Sequence, residues 1–228
     1  MSLATSWTAA LILKTSMNPA LALPFALVLI VSGCRGEQFN NIRNVASAGE
    51  TIICFGDSLT EGVGAEPGEE YPTILSRLLG VRVLNAGHRG DTTARALERI
   101  HTSVVDKNPR LVILLLGGND FLRQVPTGET RQNLKEIVRQ IQAHGAMVAI
   151  AGIKLGFFTD EYGPIFEEIA AEFGAIYIPQ VMRGIFNDVK LRSDQIHPNR
   201  AGYRLIAERI AEKIKPLLDE SDRSRGRR

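Results

Sequence analysis

Leu111–Val112–Ile113–Leu114–Leu115–Leu116, followed by Gly117–Gly118–Asn119–Asp120, decides how this chain folds. Six aliphatic residues without a polar break, bounded by Pro109 and Gly117, leave no side of a strand for solvent. Such a run suits a central parallel strand covered on both faces by helices. Shorter apolar runs flank it at residues 51–55, 81–84, 146–151 and 175–178. Segments with apolar residues at helical spacing separate them. Ile74, Leu75, Leu78 and Leu79 share a face in 71–79, as do Ala96, Leu97, Ile100 and Val104 in 92–106. Leu134, Ile137, Val138 and Ile141 do the same in 129–144, before a Gly145 stop. A helix is expected over 164–173, and a last one over 199–214 with Ala201, Leu205, Ile206 and Ile210 inward. Five strands alternating with helices predict an α/β domain in three layers, an open parallel sheet with helices on both faces.

Ligands of such sheets bind at the carboxyl ends of the strands. Four loops at that edge carry residues with chemical potential. Gly56–Asp57–Ser58–Leu59 follows the first strand and His88–Arg89–Gly90–Asp91 the second; Gly117–Gly118–Asn119–Asp120 follows the third, and Asp194–Gln195–Ile196–His197 the fifth. A serine hydroxyl is a poor nucleophile at neutral pH and needs an adjacent base. Neutral His197 suits that task, and Asp194 suits the task of holding its other ring nitrogen in the right tautomer. The Asp-x-x-His spacing puts both on one turn, and Pro198 fixes the backbone where the last helix begins. An anion forming on an attacked carbonyl needs preorganised donors. The backbone N–H groups of Ser58 and Gly90 and the side-chain amide of Asn119 are the candidates.

These four blocks, in this order, resemble those of the SGNH (GDSL) hydrolase family, most closely its bacterial thioesterase, lysophospholipase and arylesterase branch. The similarity runs over about residues 51–215. It rests on Phe55–Gly56–Asp57–Ser58–Leu59–Thr60, on Asn85–Ala86–Gly87–His88–Arg89–Gly90–Asp91–Thr92–Thr93, on Gly117–Gly118–Asn119–Asp120 and on Asp194–Gln195–Ile196–His197–Pro198–Asn199. The resemblance implies a flavodoxin-like sheet, Ser58 as nucleophile, Asp194 and His197 completing a triad, and Ser58, Gly90 and Asn119 forming the oxyanion hole. It implies no cofactor. His88 and Arg89 depart from the smaller residues often found before that glycine, which bears on the shape and charge of the pocket beside it. An α/β-hydrolase nucleophile elbow is excluded, because Thr60 stands where Gly-x-Ser-x-Gly needs its second glycine.

Several residues have simpler readings. Asp57, beside the serine, suits loop stabilisation better than acid catalysis, and Asp120 is expected to tie its loop to a neighbour. His101 and His144 read as surface residues, whereas His88 lies close enough to Gly90 to line the cleft. The histidines share no zinc-ligand spacing with Cys or acidic residues, so no metal is expected. Gly62–Val63–Gly64 lacks the lysine of a phosphate loop. Ile153, Leu155, Phe157 and Phe158, in the segment 152–163, are candidates for an acyl or aromatic subsite.

A formal charge of +2 spread over 228 residues, with only 6% aromatic, gives no footing for nucleic acid. Residues 19–31 form an apolar run too short to span a bilayer, which needs about 20 residues. Its length fits the core of a secretory signal, although Lys14 is the one cation before it. The run ends Val31–Ser32–Gly33–Cys34, which resembles the lipobox of bacterial lipoproteins with Cys34 as the acylated residue. Cys54 lies in an apolar run and is expected to pack as a small hydrophobe. The organisation expected is therefore a signal over 1–33, a polar tether over 34–50, a hydrolase domain over 51–218 and a disordered basic tail over 219–228. The expected activity is serine esterase chemistry on acyl esters or thioesters, by an exported protein held to a membrane through lipid. Carbohydrate or peptidoglycan O-deacetylation, and a silent envelope lipoprotein that binds a partner, are the alternatives.

Overall fold

The computed structural model describes residues 39–154 and 162–226, so Cys34, Leu155, Phe157, Phe158 and the expected signal lie outside the described residues. Five strands form one parallel sheet: β1 (Thr51–Gly56), β2 (Val83–Gly87), β3 (Pro109–Leu115), β4 (Met147–Ala151) and β5 (Ile176–Ile178), in the order β2-β1-β3-β4-β5. This is the flavodoxin-like order, with its reversal of direction between β1 and β3. β1 lies between β2 and β3, with Gly56 paired to Gly87 on one side and to Leu115 on the other. The carboxyl ends of these three strands thus finish level with one another.

The aliphatic run of β3 is buried along nearly all its length, and β4 is buried throughout. Edge strand β2 is only half-buried. Helix α2 (Tyr71–Leu79) packs on the long helix α8 (Arg200–Ser224). Helices α3 (Thr93–Glu98), α6 (Thr127–Ala143) and α7 (Gly163–Phe173) form a second packed series. Right-handed crossovers require two sets of helices, because the chain moves one way from β1 to β2 and the other way from β2 to β5. Cys54 is fully buried in β1, where burial pushes its thiol pKa up. No helix among the described residues is long and apolar enough to cross a membrane.

The structure corrects three sequence expectations. Residues 92–106 do not form one helix: α3 stops at Arg99, a short α4 (Ile100–Ser103) follows, and a 3-10 turn covers Val105–Lys107. The described part of the expected tether packs on the domain. The Arg43 N–H donates to Gly174 O, the Asn44 amide to Gln142 O and Ala146 O, and the Glu50 N–H to Asn108 O. Those acceptors precede β5, β4 and β3, so this segment crosses beneath the amino edge of the sheet, with Phe39 buried. The tail is helical rather than disordered as far as Ser224. Helix α8 continues through Pro216 because Leu217, Leu218 and Ser221 are buried, and Asp222 pairs with Arg110. Burial on this scale outweighs the hydrogen bond that an interior proline forfeits.

Candidate active site

β1 leaves the sheet at Gly56 and turns directly into α1 (Ser58–Glu61). Asp57 is the N-cap of this short helix, its Oδ1 accepting from the Leu59 N–H at 3.0 Å. The cap makes Ser58 the first helical residue and projects its hydroxyl from the carboxyl edge. The turn is close enough to β2 that a side chain at Gly87 would place its Cβ 2.1 Å from the Glu61 nitrogen.

β2 leads into His88–Asp91, with Gly90 at φ +80°, a left-handed conformation that favours glycine. This loop is held from several sides. The Arg89 N–H and Nε both donate to Glu61, and Arg123 Nη2 donates to Gly90 O at 2.9 Å. The His88 ring lies 3.0 Å from Asp91 Oδ1 and is largely exposed at the loop surface. Among the described residues, the backbone N–H groups of Ser58 and Gly90 have no protein acceptor. Two free donors on adjacent strand exits are what an oxyanion site requires.

Asn119 lies on α5 (Gly118–Leu122), directly after β3. Its side-chain nitrogen donates to Asp91 O at 2.9 Å and lies 3.3 Å from Asp57 Oδ2. The amide therefore faces the first two loops. Asp120 ties the loop down as expected: it accepts from the Thr93 N–H and hydroxyl and from the Thr130 hydroxyl.

After β5 the chain forms a closed turn before α8. Arg192 and Pro198 form an antiparallel bridge, and the Ser193 N–H donates to His197 O at 2.9 Å. Within the turn, Asp194 Oδ1 accepts from the Ile196 and His197 N–H groups, both at 2.8 Å. Its Oδ2 lies 2.7 Å from His197 Nδ1, and His197 Nε2 lies 3.1 Å from Ser58 Oγ. Residues 139 positions apart thus meet in one chain of hydrogen bonds.

The two aspartates near the serine differ electrostatically. Partial burial opposes ionisation of Asp194, but the two N–H groups and the His197 ring outweigh it and lower its pKa to about 2. Burial raises Asp57 to about 7, with the Leu59 N–H opposing and Asp120 and Asp91 adding to the rise. Asp194 therefore stays anionic where an imidazolium would need it.

Residues 54–205 match the GDSL-like lipase/acylhydrolase family. The chain belongs to that family. Esterase TesA of Pseudomonas aeruginosa is 29% identical over 204 residues, covering 83% of this chain and 98% of that protein. Thioesterase 1/protease 1/lysophospholipase L1 of Escherichia coli K12 is 29% identical over 182 residues, covering 76% and 88%. In three dimensions, the psychrotrophic esterase EstA of Pseudoalteromonas sp., solved with monoethylphosphonate as inhibitor, superposes with a TM-score of 0.68 at 27% identity. The match covers 74% of this chain and 98% of that one. This SGNH chain is a carboxylic ester hydrolase.

Of the residues singled out from sequence, the structure brings Ser58, Gly90, Asn119, Asp194 and His197 to one edge. Ile153 is corrected: it is buried in the hydrophobic core, leaving no surface for a substrate. His101 and His144 are exposed and meet edge to face, 6.0 Å apart. Sequence reasoning missed Glu61, Arg99 and Arg123, which brace the loops. Each is a charged residue on a helix or at its end, and nothing in its local pattern marks it.

Proposed function

We propose that Ser58 is the nucleophile of this esterase and that hydrolysis proceeds through an acyl-enzyme. The observation that carries this reading is the continuous contact from Asp194 Oδ2 through both His197 nitrogens to Ser58 Oγ, at 2.7 and 3.1 Å. As Ser58 Oγ attacks the acyl carbonyl, His197 Nε2 takes its proton and Asp194 stabilises the resulting imidazolium. The carbonyl oxygen becomes an oxyanion facing the Ser58 and Gly90 N–H groups and the Asn119 amide. Collapse expels the alcohol or thiol, protonated by His197, and leaves the acyl group on Ser58. Water, deprotonated by the same nitrogen, attacks the ester, and the second collapse returns the free carboxylic acid and the Ser58 hydroxyl.

The substrate class this reading favours is acyl esters and thioesters, in keeping with the activities for which the bacterial relatives are named. The test is turnover of p-nitrophenyl acetate and longer acyl esters by the wild type and by Ser58→Ala. Activity should fall at least a thousandfold in the variant, with an unchanged circular dichroism spectrum. A variant that keeps its turnover removes Ser58 from the mechanism. Activity confined to acetyl esters would redirect the reading to O-deacetylation.

Export and lipid attachment at Cys34 belong to the same proposal, supported by the apolar run that ends Val31–Ser32–Gly33–Cys34. Cys34→Ser should move the protein from the membrane to the soluble fraction, and the mature wild-type N-terminus should carry the diacylglyceryl mass. A wild-type protein already soluble, with an unmodified cysteine, contradicts the anchor.

A further inference from the structure

Arg99 has no part in the chemistry above, yet its guanidinium holds two of the three loops from which an oxyanion site would be built, and the third through Asp91. It ends α3, and at that point the chain breaks the helix that the sequence pattern led one to expect. From there Nη2 donates to Gly56 O at 2.9 Å, Nη1 to Ala86 O at 3.0 Å and Nε to Asp91 Oδ2 at 2.6 Å. The carbon of the guanidinium sits 4.5 Å from the centroid of the Phe55 ring. Gly56 is the last residue of β1 before Asp57–Ser58, and Ala86 lies in β2 just ahead of the His88–Asp91 loop. Asp91, fixed by Arg99 through its carboxylate, receives the Asn119 amide on its carbonyl. One planar cation thus spans the exits of β1 and β2 directly, and that of β3 through Asp91.

The chemistry suits arginine and not lysine. Guanidinium presents five donors in a rigid plane and stacks on an aromatic face, whereas an ammonium is a single charge that cannot serve three acceptors in that plane. The Asp91 and Arg99 side chains are 3% and 21% exposed, so solvent replaces this contact poorly. Oxyanion donors work by being in place before charge develops, and small misplacements are costly.

We propose that Arg99 is a positioning residue, setting the mutual spacing of the Ser58 and Gly90 N–H groups and the Asn119 amide through Gly56, Ala86 and Asp91. It touches no substrate. The proposal rests on the reading of those three groups as the oxyanion site. A merely structural arginine would alter stability and leave the folded enzyme with normal turnover.

The test compares Arg99→Met, Arg99→Lys, Asn119→Ala and the double variant Arg99→Met/Asn119→Ala. Measurements are kcat and KM on p-nitrophenyl acetate, the rate of inactivation by a phosphonate ester, and thermal midpoint. Arg99→Met should lower kcat by about 100-fold, the scale of one lost oxyanion donor, with KM within twofold and phosphonate inactivation slowed in parallel. Arg99→Lys should recover little. Because Arg99 reaches the Asn119 amide through Asp91, the double variant should lose more than either single variant but clearly less than the product of the two losses. Normal kcat in folded Arg99→Met, or losses that multiply in full in the double variant, overturn the positioning role. Full kcat in Asn119→Ala overturns instead the oxyanion reading on which it rests. Should Arg99→Met not fold, Asp91→Asn keeps the carbonyl that holds Asn119 but removes the ionic contact. It should lower kcat about tenfold at constant KM, and unchanged kcat there also overturns the proposal.

Discussion

The turn after β1 and the turn after β5 each bring an aspartate close to Ser58, and the two differ in almost every physical respect. Asp57 is buried, caps a four-residue helix and has its pKa raised to about 7. Asp194 has a half-exposed side chain, accepts two backbone N–H groups and the His197 ring, and is held at about 2. The residue next to Ser58 in sequence is thus shaped to hold the backbone. The residue 136 positions away carries the charge that the proposed chemistry needs. Adjacency along the chain is a poor guide to acid–base roles, whereas hydrogen bonds that favour the anion are a good one.

The largest test of this contrast is Asp194→Asn. The amide keeps an acceptor for the two N–H groups but cannot stabilise an imidazolium. Turnover should fall by something approaching the ~10⁴-fold of a buried triad acid, lessened because water reaches this turn. Because Asp194 titrates near 2, it remains ionised across the working range, so its loss should depress kcat similarly from pH 6 to 9. A fall smaller than that of Asp57→Asn would reverse the roles assigned to the two turns.

A smaller and opposite effect is expected at Asp57. Its pKa rises from 3.8 in the unfolded chain to about 7 in the folded one. The stability tied to the neutral form is therefore full below about pH 4 and lost as pH rises through 7. Asp57→Asn retains an acceptor for the Leu59 N–H and removes that loss. Thermal unfolding should show the variant gaining on the wild type between pH 5 and 8, with kcat changed far less than in Asp194→Asn. Parallel melting curves over that range would contradict the buried-acid account. Asp57→Ala, which also removes the cap, should cost about 1 kcal/mol more.

Much of the fold and most of the site could be read from residues alone, because both depend on patterns that leave a trace. The run 111–116 could be only a covered strand, and the loop residues after each strand fall on one edge by the geometry of parallel sheets. Asp57 and Asp120 also read correctly as loop supports. The segment before β1 read as a tether because it is polar and rich in Asn, Gly and Ser. It is fixed by burial of Phe39, by Ile42 and Val45 packed on the core, and by backbone hydrogen bonds and the Asn44 amide, too few apolar contacts to stand out as a pattern. The final helix read as ending at Ile214, and burial of Leu217, Leu218 and Ser221 carries it on through Pro216. Arg99 was illegible for a third reason: two of its three acceptors are backbone carbonyls of β1 and β2, fixed only once the sheet has formed.

The central claim is that His197, oriented by Asp194, turns Ser58 into a nucleophile. It is tested most directly by treating the wild type and His197→Ala with a p-nitrophenyl alkylphosphonate, then locating the adduct by peptide mass spectrometry. The account predicts one adduct per chain on the Ser58 peptide of the wild type, and labelling at least a thousandfold slower in the variant. An adduct on another residue, or equally fast labelling without the imidazole, would contradict it.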